Sequence, residues 1–198
     1  MNREKILKGL LALVCFLASS AVSLWAQNEK ALIIDHQSYR VHFRPDLGIP
    51  QFVEWALSKN DIGAQKRKSS FRFKSDKATP RPRVCAADYV NTGYHKGHMC
   101  PAADRSATMQ SMKSTFVMSN VCPMIPRFNT GAWKQTENYE RFLASLGISL
   151  RISASPLFFP RDTTRIGRHR VAVPHAFLKV ITIDGNPFFY KLFILENR

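Results

Sequence analysis

Apolar residues recur at two different spacings along this chain, and the change from one to the other marks its elements. Around Pro50, Phe52, Glu54 and Ala56 alternate with Val53, Trp55 and Leu57, so Gln51–Leu57 reads as a half-buried strand. Ala31–Ile34, Tyr39–Phe43, Ile148–Ser153, Val171–Val173, Phe177–Ile183 and Phe188–Leu195 read the same way, with Asp184-Gly185-Asn186 turning the last two into a hairpin. Ser114–Val121 is apolar and β-rich, which predicts a buried strand. Cys122–Thr130 holds two prolines and runs into Asn-Thr-Gly, which predicts a loop. Lys59–Pro82 is polar and basic and reads as a long surface loop, with room for one strand around Phe71–Phe73. The spacing becomes helical over Ala132–Leu146, with Asn129 or Thr130 as N-cap and Gly147 as the stop. Many strands and one well-marked helix predict an α+β domain.

The first residues do not fit that domain. MNREKILK is basic, GLLALVCFLASSAVSL is apolar, and Leu24-Trp25-Ala26 offers a small residue for cleavage, the layout of a secretory signal peptide over residues 1–26. Residues 27–198 are then the mature chain, long enough for one domain, and no second apolar stretch approaches membrane length. Without Arg3, Glu4, Lys5 and Lys8 the net charge falls from +15 to +13. That excess suits polyanions, and on its own equally suits an anionic membrane surface. Three cysteines remain, Cys85, Cys100 and Cys122, with no C-x-x-C pair to suggest a zinc ribbon.

Candidate chemistry gathers in two places. Tyr94–Arg105 reads YHKGHMCPAADR, with His95, Lys96, His98 and Cys100 within six residues. A zinc site, a general base beside phosphate-binding cations, and a loop without chemistry all fit that composition. Zinc needs a fourth ligand, and side chains on an extended segment alternate sides. A neutral imidazole, by contrast, is matched to activating water near neutral pH. The second place is the helix, where Asn129, Trp133, Glu137 and Arg141 stand four apart and drift only about 40° per step. An amide, a carboxylate and a guanidinium on one face can hold a hydrated cation beside an anion, or can be a solvated ion pair next to a core tryptophan.

Taken together, GHMCPAADR followed by SNVCP-x₅-N-x₃-W-x₃-E-x₃-R resembles the DNA/RNA non-specific endonucleases, the ββα-metal (His-Me finger) nucleases, from about Phe52 to VPHAFLKV. The resemblance implies a ββα-metal fold with a central, mostly antiparallel sheet. It implies His98 as general base, Asn129 as the direct ligand of Mg²⁺ (with Mn²⁺ able to substitute), Glu137 orienting metal-bound water, and Arg141 and Lys96 on phosphate oxygens. Asn120, Lys68, Arg72 and Arg105 are the further nucleic-acid-binding candidates; Arg67, Lys68 and Arg72 compete for the place of the family's upstream arginine. Cys100 and Cys122 each lie two residues from a motif position, His98 and Asn120, which makes them the expected disulfide. The implied activity is an exported Mg²⁺-dependent endonuclease acting on DNA and RNA, periplasmic or secreted and leaving 5′-phosphates; the alternative is a weak or inactive relative that binds nucleic acid. Departures stand at His95 (Asp in the family), Lys96 (Arg), Met124 (Gln) and Ser155 (Gly-Pro), and the chain stops at Arg198, where relatives usually continue.

Overall fold

The alternating runs assemble into one antiparallel sheet. In the computed structural model, which describes residues 31–159 and 164–198, the strands are β1 (Leu32–Asp35), β2 (Arg40–Arg44), β3 (Ile49–Leu57), β6 (Leu150–Leu157), β9 (Ala176–Ile183) and β10 (Asn186–Glu196), side by side in that order. Residues 1–26, read above as a signal peptide, and Cys15 among them, lie outside the described residues. On the inner face Val53, Trp55 and Leu57 of β3 meet Ala154, Ile152 and Leu150 of β6, and Ile152 and Ala154 meet Ile181 and Lys179 of β9. Those residues are buried, as the period-two pattern requires. Gly185, at φ +76°, closes the β9–β10 hairpin.

Against this sheet sits a smaller unit. Strands β4 (His95–His98) and β5 (Val121–Met124) pair antiparallel, with His98 opposite Val121 and Gly97 opposite Cys122. Helices α2 (Pro126–Thr130) and α3 (Ala132–Ser145) follow; a minor hairpin, β7 (Arg165–Ile166) with β8 (Val171–Ala172), and helix α1 (Met109–Ser114) complete the described elements. A Cβ on Gly97 would lie 2.2 Å from the buried Met124 sulfur, so the ribbon needs glycine there to stay closed. Trp133, wholly buried, fastens α3 to the ribbon by donating its Nε1 hydrogen to the His98 carbonyl at 3.0 Å, and packs on Phe128 and Phe177.

Four expectations are corrected here. Ser114–Val121 is no strand: α1 ends there, Met118–Asn120 is a 3-10 turn, and β5 starts only at Val121. The Asn120 side chain causes this, donating to the Thr115 and Cys100 carbonyls and accepting from the Cys100 amide, which replaces ladder bonds with a local turn. Cys122–Thr130 is not a loop, because it holds the end of β5 and all of α2. Around Phe71–Phe73 there is no strand; Lys74 alone bridges to Val117. Finally, Cys100 and Cys122 are buried free thiols. Cys122 lies on β5 opposite Gly97, whereas Cys100 lies beyond the end of β4, where its amide is held by the Asn120 side chain.

One buried polar cluster joins the two units. Lys179, at an inward position of β9, donates to Glu140 of α3 at 2.9 and 3.2 Å, with both side chains fully buried. The same ammonium lies 4.5 Å from the centre of the Trp133 ring and 5.6 Å from that of Trp55. Asp104, also fully buried, accepts from Trp55 Nε1 at 3.0 Å and from Arg141 at 2.8 Å. Removing one member strands its partner's charge in the core. Lys179→Met should therefore cost about 3–5 kcal/mol in denaturant unfolding, and adding Glu140→Leu should recover most of the loss.

Candidate active site

A cleft of about 610 Å³ opens where the end of β4 meets the start of α3. His98, Asn129, Glu137 and Arg141 all line it, together with Arg67, Gln65 and Lys134. The expected column is not one continuous helix face. Gly131 (φ −104°, ψ −105°) breaks the chain between α2 and α3, so Asn129 ends the short helix while Glu137 and Arg141 ride the long one. Trp133 faces the core. The break is what lets the Asn129 amide reach the same cleft.

His98 is held by rings. Phe73 and Phe116 each lie 4.8 Å from it between ring centres, Phe116 nearly perpendicular. Its Nε2 is buried and has no hydrogen-bond partner within the protein. Burial, and then the positive charge of Arg67, push the imidazole down to about 3, so it stays neutral with a free lone pair through the neutral range. This is lower than an unperturbed imidazole would suggest. Burial acts the opposite way on Glu137, pushing its carboxyl up to about 7; Lys179, Arg141 and Lys134 work against that rise and Asp104 with it. Both groups are driven toward their uncharged forms by one cause.

The cations divide. Arg141 donates to Asp104 and, at 2.8 Å, to Asn138, which fixes its guanidinium at the cleft wall. Arg67 lies over the Phe116 ring at 4.9 Å, so of the three competing loop cations it is the one in the cleft. Arg72 curls back onto the carbonyls of Ser69 and Phe71, and exposed Lys68 is not part of the lining. Lys96 is not there either: its ammonium packs over the Tyr89 ring at 5.7 Å, outside the cleft lining. Arg105 is buried and paired with Asp61 at 3.0 Å and with the Ala56 carbonyl, and Asn120 is buried on backbone groups. Neither can meet nucleic acid in this fold; both hold the chain around the site. Lys134 was missed, although its spacing of three and seven residues from Glu137 and Arg141 marks the shared face.

His95, the residue at a family aspartate position, has its Nδ1 3.3 Å from the Asn129 amide nitrogen. An unprotonated Nδ1 there accepts the amide hydrogen and leaves the amide oxygen as the free donor atom. A neutral amide oxygen and a half-buried carboxyl lining one cleft suit a hard, largely hydrated divalent cation, while the imidazole nitrogen stays free to act as a base.

The family model for DNA/RNA non-specific endonucleases matches residues 23–191. The chain belongs to that family. The endonucleases it resembles include a nuclease of Nostoc sp., 31% identical over 158 residues (79% of this chain, 56% of the relative), and the mitochondrial nuclease of Saccharomyces cerevisiae, 36% identical over 151 residues (69% and 46%). Human mitochondrial endonuclease G is 31% identical over 143 residues (67% and 48%). The chain thus spans about half the length of these relatives. In fold it is similar to a chain in the crystal structure of the EndoG/EndoGI complex, with a TM-score of 0.76 at 24% identity over 84% of this chain and 74% of that one.

The two opposed shifts give a pH test. Below about 6.5 the unfolded chain protonates His98 while the native state does not, so this residue costs stability as pH falls toward about 3. Glu137 acts oppositely, because between the usual carboxylate value and about 7 the native state binds the extra proton, so its contribution is lost as pH rises through that window. Thermal melts of His98→Asn should therefore gain on wild type as pH drops from 6.5, and melts of Glu137→Gln should gain on wild type as pH rises from 4.5 to 7.

Proposed function

We propose that this protein is an exported, metal-dependent endonuclease that hydrolyses phosphodiester bonds of DNA and RNA with little sequence preference, using Mg²⁺ (or Mn²⁺) and leaving 5′-phosphates. The observation that carries the reading is the unpartnered, uncharged Nε2 of His98 in one cleft with Asn129, Glu137 and fixed cations. His98 takes a proton from the attacking water. The water oxygen bonds to phosphorus as the bond to the 3′-oxygen breaks, and the departing 3′-oxygen takes a proton from solvent water, giving a 3′-hydroxyl and a 5′-phosphate.

Asn129 would hold the cation through its amide oxygen, and Glu137 would orient water beside it. The chemistry such a cation would supply is electrostatic stabilisation of the negative charge that develops on the phosphate and the leaving oxygen. Arg141 and Arg67, with Lys134, hold phosphate oxygens. Lys96 has no place in this scheme, since it packs on Tyr89. Contacts made to the backbone rather than to base edges position the strand without reading sequence. The net charge, +13 once residues 1–26 are removed, supports attraction to a polyanion. For export, the support is the basic start and apolar run before Ala26; residues 27–198 are then the nuclease domain, periplasmic or secreted. Among the described residues no helix is long and apolar enough to cross a membrane.

The purified protein should nick supercoiled DNA with Mg²⁺ and stop in excess EDTA; activity that persists in EDTA would refute the metal assignment. His98→Ala should cost about 10²–10⁴-fold in rate while nucleic-acid binding, measured by gel shift, persists. His95→Ala should cost far less, mainly by raising the Mg²⁺ concentration required. Binding without nicking in the wild-type protein at any Mg²⁺ or Mn²⁺ concentration would instead establish the binding-only alternative.

A further inference from the structure

A second convergence of metal-binding side chains lies outside the cleft. Cys85, Asp88 and His169 bring a thiol, a carboxylate and an imidazole together, with ligand atoms all within 4.8 Å of one another. None of the three lines the cleft described above. They come from two distant stretches: the 3-10 turn Ala86–Tyr89 with its N-cap Cys85, and the turn between β7 and β8. Sequence spacing gives no hint of the meeting, because Asp88 and His169 are 81 residues apart.

The backbone holds this arrangement before any ion arrives. Gly167, at φ +65°, lets the β7–β8 turn press against Asp88; a Cβ there would lie 2.4 Å from that of Asp88 and 2.5 Å from its backbone. The His169 amide donates to Asp88 Oδ1 at 3.0 Å and the Cys85 amide to Oδ2 at 2.8 Å. The carboxylate is thereby oriented by two hydrogen bonds and still has lone pairs free. His169 Nδ1 is 2.8 Å from Oδ2. Ligands at 2.0–2.3 Å from a tetrahedral zinc stand roughly 3.3–3.8 Å apart. His169 Nδ1 and Asp88 Oδ2 stand closer, at 2.8 Å, and all three ligand atoms lie within 4.8 Å of one another, so small side-chain rotations reach that spacing.

We propose that Cys85 Sγ, an Asp88 carboxylate oxygen and His169 Nδ1 form a zinc site, with the fourth position left to solvent. The ion takes the place of the hydrogen between His169 Nδ1 and Asp88; the neutral imidazole then carries its one hydrogen on Nε2 instead of Nδ1, and the thiol proton of Cys85 is released to solvent. Thiolate and imidazole select Zn²⁺ over the hard Mg²⁺ of the cleft, so the two sites do not compete for one metal. Asp88 is buried, while Cys85 and His169 are partly exposed, so the ion has access from solvent. Bound there, zinc cross-links the β7–β8 hairpin to the turn that leads into β4.

Cobalt(II) is the probe, since thiolate ligation gives a sulfur-to-metal charge-transfer band that oxygen ligands in the cleft cannot produce. Titrating the purified protein with Co²⁺ should produce the band. Cys85→Ser should abolish it, and His169→Asn should weaken apparent affinity at least about 10-fold. Zn²⁺ should displace the Co²⁺ and raise the thermal midpoint of wild type with increasing concentration, but not that of Cys85→Ser. No band in wild type, or an equal band in Cys85→Ser, would overturn the site. A band lost in Cys85→Ser but unchanged in His169→Asn would equally overturn it, by reducing it to a lone thiol. Cys100 and Cys122 are buried and serve as internal controls: their replacement by serine should leave the band in place.

Discussion

A lysine on the inner face of a β-sheet organises this protein. Lys179 occupies a position that strand alternation reserves for an apolar side chain, opposite Ala154, whose small size leaves it space. Its charge is met by Glu140 and Trp133 of α3 and by Trp55 of β3, and through Asp104, which accepts from Trp55 and Arg141, the cluster reaches the turn after β4. The sheet is thereby tied to the helix and to the ribbon that carry the cleft. Such a cluster adds little net stability compared with an apolar core, yet a displaced member leaves a charge uncompensated. It therefore penalises any other docking of α3 on the sheet, and it fixes Arg141 through Asp104.

The cleft is built on the same balance between burial and charge. The ring of His98 sits among Phe73 and Phe116, which strips away water and keeps its base form available. The cost falls on Glu137, whose carboxyl is held near its protonated form by the same dryness. Apolar packing so tunes two titrating groups in opposite directions without a specific partner for either. Cations at the rim, Arg67 and Lys134, supply charge without entering the dry interior.

Much of this was legible along the chain. The α3 helix was placed within a residue of its end, the alternating runs became the strands of the sheet, and His98, Asn129, Glu137 and Arg141 did come to one cleft. Residue type and periodicity carry that information, because a spacing of two or of about 3.6 decides which side chains share a face whatever the surroundings. Asn129 shows how far the rule reaches, since it arrived at the cleft although Gly131 breaks the continuous helix on which the inference rested.

Other features depended on which distant segments meet, and local spacing is blind to that. Whether Arg67, Lys68 or Arg72 faces the cleft is decided by how an irregular loop packs on Phe116. Arg105 and Asn120 were candidates for contact with nucleic acid, yet both are buried, Asn120 on backbone groups and Arg105 on Asp61 and a backbone carbonyl. Lys96 turned to Tyr89, and the Asn120 side chain holds Cys100 outside the ladder on which Cys122 sits. The Cys85–Asp88–His169 cluster is the extreme case, assembled across 81 residues by a glycine that permits one turn to press on another. The sequence by itself determined the elements, their buried faces and the chemical types at the cleft. Only the tertiary structure decided which charges are buried and paired and which stay free, since desolvation and partner distance are properties of the packed chain.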